Sequence, residues 1–285
     1  MGRASLEGVE LKLERAKDHF HTLSESITTF LRDPKTYSTV FQTNKERRPV
    51  LVMEDIKDPS PEWDVFIGDC VHNLHSALDH LAFQLMVGNT PPLRQREFIT
   101  SSAFPIFLSG PRFAKLRSKG PKRGQPTPDS GLHKILGVSA TARTIIERLQ
   151  PYHRRKNPGT RSLWELQELS NANKHRLFPL VYSSFELGQF EILGSVPFAL
   201  HNFESTPGRL KRNAVIARWA YVTVPTPISM KVNAELVTDI TFNKGPRTPY
   251  PVRGRSVLAT LHGIMRFIAA EVVPPLADDL GVPFN

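Results

Sequence analysis

Apolar residues recur at helical spacing in five stretches of this chain. In the first stretch they alternate three and four residues apart from Leu6 to Phe30, which predicts a long helix from about Ser5 to Arg32. A heptad of this length packs along another long helix, either within the fold or across a dimer interface. The same spacing predicts further helices over residues 61–87, 131–149, 161–175 and 254–273.

Alternation of apolar and polar residues replaces helical spacing in two other regions. Residues 37–42 and 49–57 predict a β-hairpin, and the β-rich region 178–250 predicts an antiparallel sheet of four to six strands. The expected fold is α+β: one domain, a bundle of about five helices with an N-terminal β-hairpin and an antiparallel β-sheet insertion before the last helix. Residues 88–130, rich in proline, glycine, serine and arginine, predict a mobile basic insertion whose 103–108 piece docks on the core.

Composition narrows the class of protein. The 285 residues are 40% hydrophobic and 22% charged, which is typical of a folded globular chain. The single cysteine, Cys70, rules out a disulfide within the chain and fits a reducing compartment. The first residues lack the apolar core of a signal peptide, and no stretch approaches the roughly 18 apolar residues of a membrane span. We therefore expect a soluble cytoplasmic protein.

The net charge of +10 is concentrated in one segment. Between Arg112 and Arg161 the chain carries thirteen lysines or arginines against Asp129 and Glu147, a net of +11. Such a segment would suit RNA or another polyanion, because neutralised phosphates release their counterions. Aromatic residues do not alternate with these charges as they do in single-strand binding surfaces, so a solvated basic loop is the alternative interpretation.

Short polar side chains and imidazoles form one stripe on the predicted second helix. At about 100° per residue they lie opposite an apolar side that runs from Val71 to Leu85. An exposed helix face usually carries lysine, glutamate and arginine, so a stripe of this kind indicates a site where protons move near neutral pH. Its members are Asp69, His72, Asn73, Ser76 and His80, with His75 and Asp79 at its edge.

Three interpretations of this stripe are open. The side chains could form an internal polar seam that fixes the register of neighbouring helices, since buried polar groups must be hydrogen-bonded. A metal site is disfavoured because His72 and His80 are separated by about 12 Å of helix rise, and no metal or cofactor is expected. Acid–base chemistry needs a partner that orients the histidine, which Asp69 could supply to His72, and Ser76 to His80.

A second polar group ends the predicted fourth helix. Asn173, Lys174, His175 and Arg176 would form an anion site suited to a phosphodiester if they faced the stripe across the bundle. The alternative interpretation is that these cations complement the helix dipole at its C-terminus.

Two strings carry a resemblance to known proteins. Residues 68–81 (GDCVHNLHSALDHL) and 171–177 (NANKHRL) resemble helices of a bacterial protein family that has no established activity. More loosely, the stripe is similar to the arginine–histidine signature of HEPN domains, which are helical bundles, many of them dimeric ribonucleases that need no metal. In this chain the signature histidine falls on His80, and His75 occupies the arginine position.

The HEPN resemblance implies a homodimer that binds RNA and acts as a metal-independent endoribonuclease of a defence or toxin system. In that mechanism His80 is the acid–base residue, and Lys174 or Arg176 stabilises the phosphorane. The other catalytic candidates are His72, His75, Asn73 and Asp69, and the other substrate-binding candidates are His175, Asn173 and Ser76. The rival hypothesis is a non-catalytic interaction protein, in which the stripe is a structural seam and the helix over residues 6–30 forms the dimer.

Overall fold

The computed structural model has the α+β architecture expected from the sequence, with an N-terminal hairpin and a β-rich insertion before the last helices. It describes residues 4–43, 48–154, 158–174, 177–182, 186–194, 200–205, 210–221 and 230–284. The helices are α1 (Glu7–Arg32), α2 (Glu62–Asn89), α3 (Pro92–Gln95), α4 (Gly110–Phe113), α5 (Gly131–Lys134), α6 (Ala140–Arg148), α7 (Arg161–Asn173), α8 (Val257–Phe267) and α9 (Val273–Leu280). The strands are β1 (Tyr37–Thr43), β2 (Pro49–Ile56), β3 (Leu180–Tyr182), β4 (Glu186–Gly194), β5 (Leu200–Ser205), β6 (Val215–Tyr221), β7 (Met230–Val237) and β8 (Ile240–Phe242).

The two longest helices, α1 and α2, pack antiparallel and bury the heptad face of α1. Gly8 near the start of α1 lies against His80 near the end of α2, and Trp63 Nε1 donates a 2.8 Å hydrogen bond to Ser26 Oγ at the opposite ends. Each buried leucine or isoleucine contributes roughly 1.5–3 kcal/mol relative to an exposed one. This face therefore belongs to the core of the chain and is not available to form a dimer. The buried α1 residues are Val9, Leu13, Ala16, Leu23 and Ile27.

The third predicted helix is divided into α5 and α6, which corrects the continuous helix expected over 131–149. Gly137 adopts a φ of +88°, a left-handed conformation that favours glycine and cannot continue a helix. Ser139 then starts α6, because its hydroxyl accepts a 2.9 Å hydrogen bond from the Ala142 N–H. The break lets the chain change direction before α6 packs its buried Ala142 and Ile146 inward.

The last predicted helix does not end at Pro274 and Pro275. It passes through a π turn, Ile268–Val272, and continues as α9. Proline lacks an N–H and clashes with the carbonyl of the preceding turn, and the wider π turn accommodates both defects. The whole run, Val257–Leu280, is long and apolar enough to cross a membrane by composition, with a mean hydropathy of 1.4. A buried core helix meets the same criterion, and Leu261 and Ile264 are fully buried within the bundle.

The strands of the β-rich region belong to three separate sheets, not to the single sheet expected from the sequence. Strands β5 and β6 join the N-terminal hairpin in the antiparallel order β1-β2-β6-β5, while β3 pairs with β8 and β4 pairs with β7. Trp219 of β6 is buried and lies 5.9 Å from the Phe41 ring of β1. Through this contact and the pairing of β6 with β2, the β-rich insertion packs against the N-terminal hairpin that precedes α2.

The segment over residues 88–130 is hydrogen-bonded where a mobile insertion was expected. Arg117 and Gln125 pair through their backbones at 2.8 Å, and Lys115 Nζ lies 2.8 Å from Asp129 Oδ2. These bonds close a small hairpin over residues 115–127, which we call the basic hairpin. Phe104 is buried, so the docking of the 103–108 piece is confirmed. Exposed cations at the tip of the basic hairpin are Lys119, Lys122 and Arg123.

Candidate functional sites

The α2 stripe keeps its polar side chains on one side of the helix but in different environments. His72 and His80 are exposed, Asp69 is half-exposed, Ser76 is partly buried and Asn73 is buried. Asn73 Nδ2 donates a 2.9 Å hydrogen bond to the backbone carbonyl oxygen of Asp69, one turn earlier. The Asn73 amide therefore bonds to its own helix and does not orient a histidine.

Much of the stripe follows the edge along which α1 and α2 meet. A Cβ atom on Gly8 would lie 2.8 Å from His80 Nδ1, so the imidazole rests directly on the α1 backbone. Eleven residues earlier on α2, Asp69 Oδ2 lies 4.0 Å from His19 Nδ1 of α1. Contacts of this kind at both ends of the stripe are typical of a polar seam that sets the register of two helices.

His75 is paired with a carboxylate one turn later on the same helix. His75 Nδ1 lies 3.4 Å from Asp79 Oδ2, and the Phe104 N–H donates a 2.9 Å hydrogen bond to Asp79 Oδ1. Burial tends to raise the pKa of Asp79, but the His75 and Phe104 hydrogen bonds outweigh it and hold that pKa below its ordinary value. The pair therefore anchors the 103–108 piece to α2.

The end of α7 meets only one end of the stripe. The Asn173 side chain lies against Gly68, where a Cβ atom would come within 2.6 Å of Asn173 Oδ1. Lys174 follows it and is exposed. His80 is twelve residues beyond Gly68, or about 18 Å of helix rise, so one phosphate could not contact both His80 and the end of α7. His175 and Arg176 lie outside the described residues.

The described part of the chain offers no alternative centre for metal or thiol chemistry. Within it, no three histidine, cysteine, aspartate or glutamate side chains converge as metal ligands would. Cys70 is buried in α2, and burial raises the pKa of its thiol to about 12. Cys70 therefore remains a protonated core residue, since a reactive cysteine needs a lowered pKa.

Two adjacent aromatic rings flanked by two arginines, from three parts of the chain, form a surface that was not predicted. Arg154 Cζ lies 5.4 Å from the centroid of the Trp164 ring, Trp164 and Tyr250 have centroids 6.1 Å apart, and Arg253 Cζ lies 5.8 Å from the Tyr250 centroid. Tyr250 is 72% exposed, both arginines are exposed and Trp164 is partly exposed. We call these four residues the arginine–aromatic surface.

A buried carboxylate holds this surface together from below. Glu165 in α7 has only 4% of its side chain exposed and accepts hydrogen bonds from Arg161 Nε, at 2.8 Å, and from Arg255. Arg161 also donates a 2.9 Å hydrogen bond to the Pro251 carbonyl oxygen, in the 3₁₀ turn that precedes α8. Burial and the neighbouring Arg161 charge both lower the pKa of Arg255. The cluster fixes α7 against the turn that carries the tyrosine.

The two outer arginines are oriented by backbone carbonyl groups. Arg154 donates to the Pro151 oxygen at 3.2 Å, and Arg253 Nε donates to the Thr248 oxygen at 2.9 Å. Over the described residues, neither guanidinium forms an ion pair with a carboxylate. Both charges are therefore available to an anion, and an arginine already held in place loses less conformational entropy when it binds one.

Sequence reasoning missed this surface because its members are far apart along the chain. Arg154 belongs to the basic 112–161 segment, but Trp164 lies just beyond that segment and Tyr250 follows 86 residues later. The spacing of Tyr250 and Arg253 across a proline-containing turn was a usable local signal. Nothing along the chain indicated that this turn packs beside α7.

Comparisons with known proteins identify no relative of this chain. No protein-family model matches it, and neither the curated proteins nor the solved structures give a significant match.

Proposed function

We propose that this protein binds single-stranded RNA on the arginine–aromatic surface. The observation that supports this function is that the adjacent rings of Trp164 and Tyr250 lie between two exposed arginines, Arg154 and Arg253. Unpaired bases stack on aromatic rings and guanidinium planes, while arginines also bind the phosphates between them. Two rings 6.1 Å apart would hold neighbouring bases of a strand.

The basic 112–161 segment extends this proposed contact. Tyr152, two residues before Arg154, packs on Phe113 at the base of the basic hairpin, with ring centroids 6.1 Å apart. The exposed cations of that hairpin would attract a polyanion. Their contribution to specificity would be small, because salt screens the interaction between exposed charges that are more than about 8 Å apart. Base stacking contributes more, about 1–3 kcal/mol per base.

The α2 stripe fits a structural role better than an RNA contact. Asn73 bonds to its own helix, His75 bonds to Asp79, and His80 rests on Gly8. These contacts favour the hypothesis of a hydrogen-bonded seam for that helix, and they are compatible with RNA binding elsewhere. Cleavage by His80 and the homodimer both stay predictions, and the His80→Ala variant tests the first of them.

Fluorescence anisotropy with a labelled 15-nucleotide oligouridylate in EDTA tests the proposed binding. Tyr250→Ala should weaken binding about 10-fold, since one stacking contact is lost. The matched control is Phe203→Ala, which removes an aromatic side chain that is 40% exposed on β5 and should leave affinity within about 2-fold of the wild type. Equal affinity for Tyr250→Ala and the wild type would contradict the proposal, and tighter binding to DNA would reassign the ligand.

The salt dependence of binding supplies an independent check on the arginines. Arg253→Ala should reduce the slope of log affinity against log salt by about 0.7, the value of one phosphate contact on a single strand. Arg94→Ala is the control, because Arg94 also lies over an aromatic ring, that of Phe98, but is paired with Glu97. An unchanged slope in Arg253→Ala would show that this arginine does not meet a phosphate.

A further inference from the structure

A histidine–carboxylate pair joins α6 to the 3₁₀ turn Pro151–His153, which directly precedes Arg154 of the arginine–aromatic surface. His153 Nε2 lies 2.9 Å from Glu147 Oε1, and the same oxygen accepts the Tyr152 hydroxyl at 2.9 Å. The His153 side chain is 33% exposed. When Nε2 donates to the carboxylate, Nδ1 is the ring nitrogen that can accept a proton.

A buried glutamine holds this turn in place. The Gln150 amide donates 2.9 Å hydrogen bonds to the carbonyl oxygens of Pro105 and Ile146 and accepts the Phe107 N–H at 2.9 Å. The Gln150 carbonyl in turn accepts the His153 N–H at 2.9 Å. The imidazole is therefore attached to a rigid support, as a preorganised catalytic group requires.

The Glu147 carboxylate is ionised near neutral pH. Burial tends to raise its pKa, but hydrogen bonds from His153 and Tyr152, with the charge of Arg148, hold that pKa below its ordinary value. Burial and the bond to Glu147 raise the pKa of Tyr152, so its hydroxyl stays a donor. An ionised carboxylate on Nε2 fixes the tautomer of the ring and stabilises the imidazolium that forms when Nδ1 takes a proton.

We infer that His153, positioned by Glu147, is the general base that cleaves RNA bound on the arginine–aromatic surface. The inference rests on the proposed binding function, and it names the reaction carried out there. Arg154 is the next residue along the chain, so the imidazole and one guanidinium of the arginine–aromatic surface are carried by neighbouring backbone positions. Neutral imidazole is the commonest proton acceptor in enzymes that work near neutral pH.

The step is a transesterification within the RNA strand. Nδ1 of His153 takes the proton of a ribose 2′-hydroxyl, and the 2′-oxygen attacks the adjacent phosphorus. The P–O2′ bond forms while the P–O5′ bond breaks, and the 5′-oxygen leaves with a proton from solvent water. His153 then returns its proton to solvent. The products are a 2′,3′-cyclic phosphate and a 5′-hydroxyl end, and the role that we assign to Arg154 is to stabilise the charge on the phosphorane.

Cleavage and binding are measured together on the full chain with one oligonucleotide pair. A 15-nucleotide oligouridylate and its 2′-O-methyl counterpart are incubated with the protein in EDTA, followed by anisotropy and mass spectrometry. We expect both to bind and only the unmodified RNA to be cut, with cyclic phosphate ends. His153→Ala and His153→Gln should each slow cleavage at least about 100-fold with affinity within about 2-fold. Imidazole in the buffer should restore part of the rate of His153→Ala.

Glu147 is tested as a positioning residue by a separate variant. Glu147→Gln keeps an acceptor for Tyr152 but loses the charge, so kcat should fall about 10-fold while KM stays unchanged. The matched control is His21→Ala on α1, which removes an exposed histidine 3.6 Å from Glu25 and should leave cleavage unchanged.

The outcomes separate the two proposals. Wild-type protein that binds both oligonucleotides and leaves the RNA intact overturns the catalytic inference and leaves the binding function standing. Cleavage that survives in His153→Ala also overturns it, and its loss in His80→Ala would assign the chemistry to the α2 stripe. Failure to bind either oligonucleotide overturns the proposed function itself.

Discussion

The α2 stripe and the arginine–aromatic surface are the two candidate sites for RNA, and they are built in opposite ways. The stripe comes from one segment, residues 69–80, whose groups extend over about 16 Å of helix rise. The arginine–aromatic surface comes from three parts of the chain, and each of its groups lies 5.4–6.1 Å from the next. A shared helix face aligns side chains that are close in the sequence, whereas tertiary packing brings together side chains that are far apart in it.

The two regions also differ in what their polar groups already contact. In the stripe and at its edge, Asn73 and His75 bond to groups of α2 itself, and His80 rests on Gly8 of α1. On the arginine–aromatic surface, the guanidinium groups of Arg154 and Arg253 are oriented by carbonyl oxygens but keep their charge for a ligand. A run of polar residues in a sequence therefore does not by itself identify a binding site.

The largest difference between the regions should appear in RNA affinity. Trp164→Ala combined with Tyr250→Ala should weaken binding about 100-fold, because two stacking contacts of about 1–3 kcal/mol each are lost. His72→Ala combined with His80→Ala should change affinity less than about 2-fold. Anisotropy titrations on both double variants make the comparison, with melting curves to confirm folding. The opposite ranking would move the RNA site to α2.

The next largest expected effect is a loss of stability when Glu165, the carboxylate beneath the arginine–aromatic surface, is replaced. Glu165→Leu should lower the free energy of unfolding by about 2–3 kcal/mol, because Arg161 and Arg255 lose their buried partner. The estimate is below that for a fully buried pair, since both arginines are partly exposed. Urea denaturation followed by circular dichroism measures it, and RNA affinity should fall in parallel. Glu168→Gln on the same helix is the control, and equal stability of the two variants would argue against the ion cluster.

A smaller effect tests how the end of α7 meets α2. Gly68→Ala should destabilise the protein by about 1–3 kcal/mol, because its Cβ would come within 2.6 Å of Asn173. Asn173→Ala in the same chain should recover most of that loss, which a double-mutant cycle from thermal unfolding would measure. RNA affinity should be unaffected. A simple sum of the two single effects would mean that the two residues are not in contact.

The smallest expected effect is on the pH dependence of stability, through Asp79 at the edge of the α2 stripe. The pKa of Asp79 is lowered in the folded protein, so its contribution to stability is present above the ordinary pKa of an aspartate, about 3.9, and is lost as pH falls through the folded value. Asp79→Asn should therefore flatten the acid limb of the stability curve. The change is about 0.5–1 kcal/mol because the side chain is 38% exposed. Asp18→Asn, at an exposed pair on α1, should leave that limb unchanged.

Local patterns predicted the elements that depend on local periodicity. The heptad of α1, the apolar side of α2 and the N-terminal hairpin follow from spacing, and the structure confirms them. The break at Gly137 and the π turn before Pro274 were missed, since helical periodicity continues across both positions. The grouping of the strands was missed for another reason: β6 pairs with β2, more than 150 residues earlier, and alternation gives no information about partners.

The sequence by itself determined the α+β class, the positions of the long helices and the concentration of charge between residues 112 and 161. Those features depend on side-chain periodicity and composition, which are properties of short stretches of chain. Only the tertiary structure decided that the heptad face is internal and that Trp164 and Tyr250 lie side by side between two arginines. Their proximity arises from contacts such as that between Arg161 and Pro251, whose partners are 90 residues apart. Contacts at that separation are selected by the packing of the whole core, and no local pattern encodes them.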